Sequence, residues 1–386
     1  MHIEAVIGAN YGDEGKGMFT EHLCRCATDP IVVMSNGGCQ RGHTVNNVEC
    51  GIRHIFNHFC SGTFMHAPTV FSHTYLLNPI MFIKEHDGLA KLGFTPASWR
   101  APSCMLQLPS DMFINQQLEV ARAKTNAKHG SCGLGIWETK VRNASYQKLL
   151  FEDFAAMDYT SKCKTMNDAL EWQLASRAND VDIDESILKI VQSKSFYDHF
   201  ISDFECMHKL CKLLPSDNLV SELAALGFKS IVVENAQGLL LDKNYAPEDE
   251  NGRTDVHATP SKCGLEGVLD ALGDHSLKNE IVFNYISRSY LTRHGEGPFP
   301  EYDPSMSFVD HTNVYNDYQG TIRFGRLDVD ALKNRIAIDS KGVEKVNIVA
   351  THMNEIDNEE LKNAANYLSY EDDSRKIVQN KLAFSS

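Results

Sequence analysis

The residues best suited to chemistry lie in one glycine-rich stretch near the start of the chain, Gly12-Asp-Glu-Gly-Lys-Gly17. An apolar run at residues 3–8 leads into it, and residues 18–23 leave it with helical spacing. In a strand, glycine loop and helix, backbone N–H groups and the helix N-terminus converge on an anion. Lys16 adds a positive charge, and Asp13 offers the oxygen ligands that a divalent cation prefers. The stretch predicts a phosphate-binding loop; the alternative is an acidic, glycine-rich surface turn.

The loop differs from the standard phosphate-loop pattern at two positions. Asn10 stands where that pattern has its first glycine, and Gly17 stands where it has a serine or threonine. Because the hydroxyl ligand is missing, a metal ion bound here needs another ligand, and Asp13 is the nearest candidate.

Two more polar side chains follow predicted strands. His43 lies in a second glycine-containing loop, and an imidazole titrates near neutral pH, so it can donate a proton to an oxygen that gains charge. Gln237 follows a strand that ends at Glu234, where its amide can both donate to and accept from a substrate. A single histidine in a loop is often incidental, and Gln237 alone does not decide between a structural and a binding role.

Composition narrows the class of protein. The chain has 386 residues and a formal net charge of −14, which argues against nucleic acid or an anionic membrane surface as its main partner. Its 11 cysteines include no Cys-x-x-Cys pair, which is typical of free thiols in a reducing compartment. No run of about 18 apolar residues occurs, so we expect a cytoplasmic protein without a membrane span.

Apolar runs alternate with helical patterns along the chain, which predicts an α/β fold with a central, mostly parallel β-sheet flanked by helices. We expect one domain over residues 1–386, with a helical insertion at about residues 105–215. The predicted strands are 3–8, 30–34, 229–234 and 345–350, and the predicted helices are 112–125, 166–178 and 183–193. Polar loops follow these strands, and open parallel sheets bind ligands at the carboxyl ends of their strands. An acidic segment, residues 245–255, is predicted to be a mobile loop.

Five motifs occur in a fixed order between the N-terminus and about residue 357. They are Gly12-Asp-Glu-Gly-Lys-Gly17, Gly37-Gly38…Gly42-His43-Thr44, His58-Phe-Cys-Ser-Gly62, Glu234-Asn-Ala-Gln-Gly238 and Thr292-Arg-His-Gly-Glu-Gly-Pro-Phe-Pro300. The first and last are long and specific, and together the five resemble the adenylosuccinate synthetase family. The resemblance implies a nucleotide-binding α/β fold like that of phosphate-loop proteins, in a homodimer. It also implies a C–N ligase that joins L-aspartate to C6 of a 6-oxopurine nucleotide, using a nucleoside triphosphate and Mg²⁺.

The resemblance assigns chemical roles to three residues by position. Asp13 corresponds to the base that removes the purine N1 proton and also contacts the metal. His43 corresponds to the acid that assists transfer of the γ-phosphoryl group to O6, and Gln237 to a residue that orients that oxygen. The chemistry agrees, because phosphorylating O6 turns a poor leaving group into phosphate, which an attacking amine can displace.

The remaining positions carried over from the family bind the substrates and the metal. The triphosphate residues are Gly12, Asp13, Glu14, Gly15, Lys16, Gly17, Gly42, His43 and Thr44, and the metal ligands are Asp13 and Gly42. The purine monophosphate residues are Asp13, Gln40, Arg41, Ser131, Cys132, Arg142, Gln237, His257 and Thr259. Arg142 corresponds to an arginine that reaches the phosphate across a dimer interface. The aspartate residues are Gly320, Thr321 and Arg323, and the donor base residues are Asn354 and Asp357.

The donor base motif departs from the family. Members of the family recognise the guanine of GTP through the Asp of a Thr-Lys-Leu-Asp motif, whereas this chain has Thr351-His-Met-Asn354. A carboxylate accepts hydrogen bonds from guanine N1–H and N2–H₂, while a neutral amide both donates and accepts, which suits adenine. We therefore expect ATP or dATP as the donor. Gly320 stands where the family has an arginine near the ribose 2′-hydroxyl, which is compatible with a deoxyribonucleotide.

These departures resemble a viral branch of the family, deoxyguanylosuccinate synthase, which aminates dGMP on the way to 2-aminoadenine DNA. That likeness implies a bacteriophage enzyme in the host cytoplasm. Asp13 argues against that branch, because much of the branch has a smaller residue at this position, which leaves room for the guanine 2-amino group. Two alternatives stay open: a synthetase that acts on IMP with GTP, and a non-catalytic nucleotide-binding regulator. A pure binder would not need Asp13 and His43 as an acid–base pair.

Overall fold

The computed structural model describes residues 1–124, 129–181, 183, 185–254, 256–310, 312–313, 315 and 320–380. Its strands are β1 His2–Gly8, β2 Pro30–Met34, β3 His43–Asn47, β4 Ile52–Phe56, β5 Thr69–Phe71, β6 Leu76–Leu77, β7 Ser98–Arg100, β8 Met105–Leu106, β9 Cys211–Leu213, β10 Ser230–Glu234, β11 Val282–Arg288, β12 Leu291–Arg293, β13 Arg323–Gly325, β14 Val346–Thr351, β15 Tyr367–Leu368 and β16 Val378–Gln379. Its helices are α1 Lys16–Cys26, α2 Pro79–Lys91, α3 Pro109–Lys124, α4 Ile136–Ser145, α5 Phe151–Ala155, α6 Tyr159–Ser176, α7 Glu185–Val191, α8 Lys194–Leu210, α9 Leu219–Ala225, α10 Leu265–Leu272, α11 Val329–Asp339 and α12 Glu359–Ala364.

Ten of the strands form one sheet in the order β16-β15-β14-β11-β1-β10-β2-β5-β7-β9. Neighbouring strands in it are parallel except β15 and β16. At its centre, Ala5 of β1 pairs with Val233 of β10 on one side and with Phe283 of β11 on the other. The central strands are runs of apolar residues, as expected where helices cover both faces of a parallel sheet. The structure confirms the α/β fold with a mostly parallel central sheet.

All four predicted strands are present, with ends displaced by at most one residue. The predicted helices correspond to α3, α6 and α7. Their ends lie within three residues of the predicted limits, except that α6 begins at Tyr159, seven residues before the predicted start. Residues 125 and 184 lie outside the described residues. Strand β11 was not predicted, although the apolar run at 281–286 is of the same kind as those that were.

Helices α3 to α8 lie between β8 and β9, where the helical insertion was predicted. Part of this region packs around aromatic rings, such as Phe151 and Phe204, whose centroids are 4.4 Å apart. That the helices and the sheet form one domain stays a prediction. Nowhere in the described ranges is a helix long and apolar enough to cross a membrane.

The acidic segment predicted to be a mobile loop is described as far as residue 254. It contains a turn in which the Asp249 carboxylate accepts hydrogen bonds from the backbone and the guanidinium of Arg253. Asp255 lies outside the described residues, and the mobility of the segment stays a prediction.

Candidate active site

The predicted phosphate-binding loop connects β1 to α1 and is folded around the carboxylate of Glu14. Oε1 of Glu14 accepts hydrogen bonds from the backbone N–H groups of Asn10 (3.1 Å) and Gly12 (2.7 Å). Oε2 lies 2.6 Å from Nζ of Lys16, and both side chains of this ion pair are buried. The loop thus gathers N–H donors and a lysine around an oxyanion, which is also how a protein holds a phosphate oxygen.

Two glycines let neighbouring loops approach this one. A Cβ atom at Gly17 would lie 3.0 Å from Cβ of His43 and 3.0 Å from Oγ of Ser61. A Cβ atom at Gly238 would lie 2.3 Å from the carbonyl oxygen of Asn10, which leaves no space for a side chain. The polar loops that follow β1, β2 and β10 therefore meet at the carboxyl edge of the sheet, where the sequence predicted a ligand site.

A cavity of about 270 Å³ opens beside the phosphate-binding loop. Every predicted triphosphate residue except Gly12 lines it: Asp13, Glu14, Gly15, Lys16, Gly17, Gly42, His43 and Thr44. On its far side, the hydroxyl of Thr44 lies 3.0 Å from that of Thr312, so the loop after β12 contacts the second glycine loop. The structure therefore brings the two glycine loops to one cavity.

His43 belongs to a buried network centred on Glu234, the last residue of β10. Nδ1 of His43 is 2.6 Å from Oε1 of Glu234, and Nη1 of Arg41 is 3.2 Å from Oε2. The same carboxylate accepts hydrogen bonds from the backbone N–H of Ser61 (3.1 Å) and from its hydroxyl. Because a carboxylate only accepts, we assign the ring proton to Nδ1. Nε2, on the opposite edge of the ring, is then left for a ligand.

The charges in this network follow from burial and from neighbouring groups. Burial lowers the pKa of His43 to about 4, because the opposing effect of Glu234 is smaller and Arg41 and Lys16 add to the decrease. Burial opposes ionisation of Glu234, but Arg41 and the hydrogen bonds from His43 and Ser61 lower its pKa to about 2. Without a ligand, His43 is therefore neutral and Glu234 is an anion. A phosphate anion beside the ring would favour the protonated imidazole.

Asp13 is fixed by its backbone more than by its side chain. Its φ of 61° lies in the left-handed region, and Nε of Arg288 donates to its carbonyl oxygen. The hydroxyl of Thr292 donates to the preceding carbonyl, that of Gly12, at 3.2 Å. The carboxylate is 25% exposed, and its Oδ2 lies 3.5 Å from Nε2 of His294. The side chain thus faces the cavity with oxygen atoms available to a ligand.

The carboxylate of Asp13 and the backbone of Gly42 suit the predicted magnesium ion. Mg²⁺ is usually held by one or two carboxylates together with substrate phosphates, and Asp13 and the backbone of Gly42 line one cavity beside the phosphate-binding loop. Among the described residues, one cluster of three potential metal ligands was found, Glu266, Asp270 and His275; it is largely exposed, and none of the three lines this cavity. A metal in the cavity would therefore depend on phosphate oxygens for most of its ligands.

Gln237 and Gln40 are two further predicted nucleotide-binding residues. Gln237 lies next to the phosphate-binding loop. A Cβ atom at Gly8 would contact both the carbonyl oxygen of Gln237 (2.5 Å) and Nζ of Lys16 (2.9 Å), so these two residues are neighbours. The side chain of Gln237 contacts Sγ of Cys263 at 3.7 Å. The amide nitrogen and oxygen of Gln40 are buried without a hydrogen-bond partner in the described part of the chain. A buried, unpaired amide indicates a ligand position.

The predicted monophosphate residues of the 129–133 and 257–259 segments occupy loops outside the lining of the cavity. The Ser131 hydroxyl accepts a hydrogen bond from the Asn115 amide at 3.0 Å. Burial raises the pKa of the Cys132 thiol to about 11, so it remains an S–H donor. His257 lies near His129, with ring centroids 5.9 Å apart, and the hydroxyl of Thr259 accepts from a backbone N–H at 3.3 Å.

Two predicted monophosphate residues, Arg142 and Arg41, lie in the interior, and their contact with a ligand stays a prediction. Arg142 is 1% exposed and pairs with Asp111 through Nε and Nη2, each at 2.9 Å. The role across a dimer interface that the resemblance implies for Arg142 therefore stays a prediction. Arg41 is likewise buried, and donates to Glu234 and to two backbone carbonyl groups. It holds the partner of His43 in place, and the cavity lining in the described residues does not include it.

Two arginines face each other in the β12–β13 pair, where Arg293 is directly opposite the predicted aspartate residue Arg323. Nε and Nη1 of Arg293 are buried without a hydrogen-bond partner among the described residues. Burial lowers the pKa of both guanidinium groups. Opposed like charges and unpaired buried donors are costly, which points to an anionic ligand. Gly320 and Thr321 precede Arg323 in the chain, and residues 316–319 lie outside the described residues.

The predicted donor base residues follow β14. Asn354 is exposed and lines the cavity, and burial lowers the pKa of the neighbouring His352 to about 3, so that imidazole is neutral. Tyr290 contacts His352 edge-on, with ring centroids 6.2 Å apart, and stacks on Phe308 at 4.2 Å. Asp357 is exposed, and the lining of the cavity in the described structure does not include it. The structure therefore brings Asn354 to the cavity but not Asp357.

Several residues of the site were not predicted from the sequence. Glu234 belongs to a recognised motif, and Arg288 ends an apolar run, so both carried a local signal. Arg293 also lies in a recognised motif, but nothing local shows that it faces Arg323. Asp372 lines the cavity from a loop near the end of the described chain, and no local pattern marks it.

Known proteins similar to this chain were found by sequence. A model of the adenylosuccinate synthetase family matches residues 5–383. The adenylosuccinate synthetase of Flavobacterium psychrophilum is 28% identical over 348 residues, which cover 88% of this chain and 76% of that protein. That of Francisella tularensis subsp. novicida is 28% identical over 343 residues, covering 85% and 73%.

Two solved structures are similar in fold. One is a fully ligated adenylosuccinate synthetase from Plasmodium falciparum, with a TM-score of 0.67, 19% identity and coverage of 92% of this chain and 77% of that one. The other is cyanophage S-2L succinoaminodeoxyadenylate synthetase (PurZ) bound to dGMP and dATP, with a TM-score of 0.67, 12% identity and coverage of 98% and 95%. Because the family model matches nearly the whole chain, this protein belongs to the adenylosuccinate synthetase family of C–N ligases.

Proposed function

We propose that this ligase joins L-aspartate to C6 of dGMP, with ATP or dATP as the phosphoryl donor. The product would be N6-succino-2-amino-2′-deoxyadenylate, a precursor of 2-aminoadenine DNA. The observation that carries the proposal is Asn354, a neutral amide in the lining of the triphosphate cavity, where the resemblance implies a carboxylate for guanine. The fold likeness to the cyanophage enzyme bound to dGMP and dATP supports it. A bacteriophage source, a host-cytoplasm location and a homodimer are part of the proposal.

In the first step, Asp13 takes the purine N1 proton while O6 attacks the γ-phosphorus. The N1–H electron pair forms the N1=C6 bond, the C6=O6 pair forms the O6–P bond, and the bond to the β-phosphate oxygen breaks. Lys16 and the loop N–H groups hold the phosphates, and bound Mg²⁺ would neutralise part of their charge. His43, protonated beside the phosphate, donates a hydrogen bond to the group in transfer. Gln237 orients O6.

In the second step, the lone pair of the aspartate amine forms the C6–N bond, the C6–O6 bond breaks, and phosphate leaves with that electron pair and takes up the amine proton. Arg323 and Arg293 hold the substrate carboxylates, because both guanidinium groups are partly or wholly buried and Arg293 has unpaired donors. A bidentate arginine fixes both the charge and the orientation of a carboxylate. Without that orientation the amine would rarely lie over the face of the purine ring at C6, the side from which it must attack.

A second candidate is the family's reaction of IMP with GTP in AMP synthesis. The names of the curated relatives favour it, and so does Asp13, because an aspartate there leaves less room for the 2-amino group of guanine. In this case the same residues would carry the same two steps, and only the acceptor and donor bases would differ.

The acceptor is tested by a phosphate-release assay with aspartate, in which dGMP, GMP and IMP are each combined with ATP, dATP and GTP. We expect turnover with dGMP and an adenine triphosphate. Turnover with IMP and GTP alone would establish the second candidate. Nucleotide binding without aspartate-dependent phosphate release would identify a non-catalytic regulator instead.

The donor assignment is tested by a single substitution that replaces the Asn354 amide with a carboxylate. In Asn354→Asp a carboxylate would face the N1 lone pair of adenine, so ATP turnover should fall and GTP turnover should rise. A bidentate base contact discriminates by about 1–3 kcal/mol, or roughly ten- to hundredfold. Asn363→Asp is the matched control, because it makes the same change at an exposed asparagine outside the cavity lining of the described residues. An unchanged preference in Asn354→Asp would show that Asn354 does not read the base.

A further inference from the structure

His294 follows β12 directly and lies beside the carboxylate of Asp13. The end of β12 is tied to the phosphate-binding loop, since the hydroxyl of Thr292 donates to the carbonyl of Gly12 at 3.2 Å. This contact places Nε2 of His294 3.5 Å from Oδ2 of Asp13. The distance is within reach of an ion pair, but the ring does not have the alignment of a hydrogen bond.

Both ring nitrogens of His294 are buried, and neither has a hydrogen-bond partner in the part of the chain that the structure describes. Leaving a buried polar group unpaired is costly, so we expect the His294 ring to have a partner in the working state of the site. Asp13 provides the carboxylate within reach. Hydrogen bonds at catalytic groups are often long without substrate and shorten when it binds.

The Asp13 carboxylate needs a group that fixes its rotation. The χ2 torsion of an aspartate is broad, so packing alone does not decide which oxygen faces a substrate. Arg288 does not do this in the structure, because its Nε donates to the Asp13 backbone carbonyl. His294 is the side chain whose buried N–H can hold Oδ2 and so direct Oδ1 toward the cavity.

We propose that His294 is a positioning residue for Asp13. Its Nε2–H bonds to Oδ2, so that Oδ1 is held where it accepts the purine N1 proton. The proposal rests on the proposed function, in which Asp13 is that proton acceptor. His294 itself exchanges no proton in the step; the proton passes from N1 to Asp13.

The first test separates positioning from folding. His294→Ala should lower kcat roughly ten- to hundredfold, with KM for the triphosphate and for aspartate within about twofold of wild type. His294→Gln keeps an N–H donor at the place of Nε2 and should recover most of kcat. His22→Ala is the control, because His22 is a partly buried histidine that contacts the Ser374 carbonyl outside the cavity. A normal kcat in His294→Ala, or no recovery in His294→Gln, would overturn the proposal.

The second test asks whether His294 acts through Asp13. In single-turnover reactions, His294→Ala should cause less than a further twofold loss in an Asp13→Ala background, because the group it positions is gone. A full additive loss would show that the two residues act independently. The acceptor does not matter, so the cycle is run with whichever 6-oxopurine nucleotide the wild-type enzyme converts.

If the wild-type protein converts none, the proposed function fails, and ¹⁵N NMR of the His294 ring decides the positioning contact by itself. We expect the proton on Nε2 in wild type and loss of that preference in Asp13→Ala. An identical tautomer distribution in both proteins would contradict the contact.

Discussion

Replacing Glu234 by glutamine should damage both stability and catalysis, because one buried carboxylate supports two different groups. Glu234 is 0% exposed and accepts hydrogen bonds from His43, Arg41 and Ser61. In Glu234→Gln the guanidinium of Arg41 stays buried without its counter-charge. Removing one partner of a buried ion pair typically costs about 3–5 kcal/mol, so we expect a loss of that size in the free energy of unfolding.

The catalytic effect of Glu234→Gln has a separate cause. The neutral amide can no longer hold the Nδ1–H tautomer of His43 by charge, and it stabilises the protonated ring less when phosphate binds. If His43 is the acid, kcat should fall by about 10²–10⁴. Urea unfolding measures the first effect and aspartate-dependent phosphate release the second.

Glu85→Gln is the matched control for this experiment. Glu85 is also a buried carboxylate, but it accepts from backbone N–H groups of Asn57, His58 and Phe59, and its ion-pair partner among the described residues is His54 and not an arginine. We expect it to lose about 1–3 kcal/mol of stability with little change in kcat. A Glu234→Gln protein with wild-type kcat and wild-type stability would refute the assignment of this network.

Three further predictions concern single residues. Asp13→Ala should lower turnover by several orders of magnitude, because a base and a metal ligand are lost together, and His43→Ala should cost about 10²–10⁴-fold; near-normal rates in both would show that the roles are misassigned. Arg293→Met should raise KM for aspartate at least about tenfold while KM for the triphosphate stays the same, and the reverse pattern would place the arginine at the nucleotide. Acidification should destabilise the fold, because burial lowers the pKa of His58 to about 3, and the unfolded chain then binds more protons below about pH 6.5. As the pH falls from about 6.5 to about 4, His58 should lower the free energy of unfolding by about 1.4 kcal/mol per pH unit. In a His58→Gln variant, the free energy of unfolding measured in urea should depend less steeply on pH.

Local sequence determined the parts of this protein that depend on neighbouring residues. The strand before Gly12, the glycine loop and the helix after Lys16 are consecutive, so their order alone places N–H donors around an anion. The ends of the four predicted strands were correct to within one residue, because unbroken apolar runs bounded by polar loops have few alternatives in a parallel sheet. The family motifs likewise lie in short segments that can be recognised without the fold.

Tertiary structure alone decided which distant groups meet. His43 and Glu234 are 191 residues apart, and only the sheet order that places β10 between β1 and β2 brings them to 2.6 Å. The pairing of β12 with β13 sets Arg293 opposite Arg323, which no local pattern shows.

The interior position of Arg142 is also a tertiary result. A guanidinium has the same sequence signal whether it reaches outward to a phosphate or inward to a carboxylate. Its direction here is set by Asp111, which lies 31 residues earlier on α3 and is itself buried. Sequence spacing places Arg142 near a position of the family motif, but it does not show which anion will pair with the guanidinium. A buried guanidinium needs such a partner, and the fold brings the Asp111 carboxylate to it.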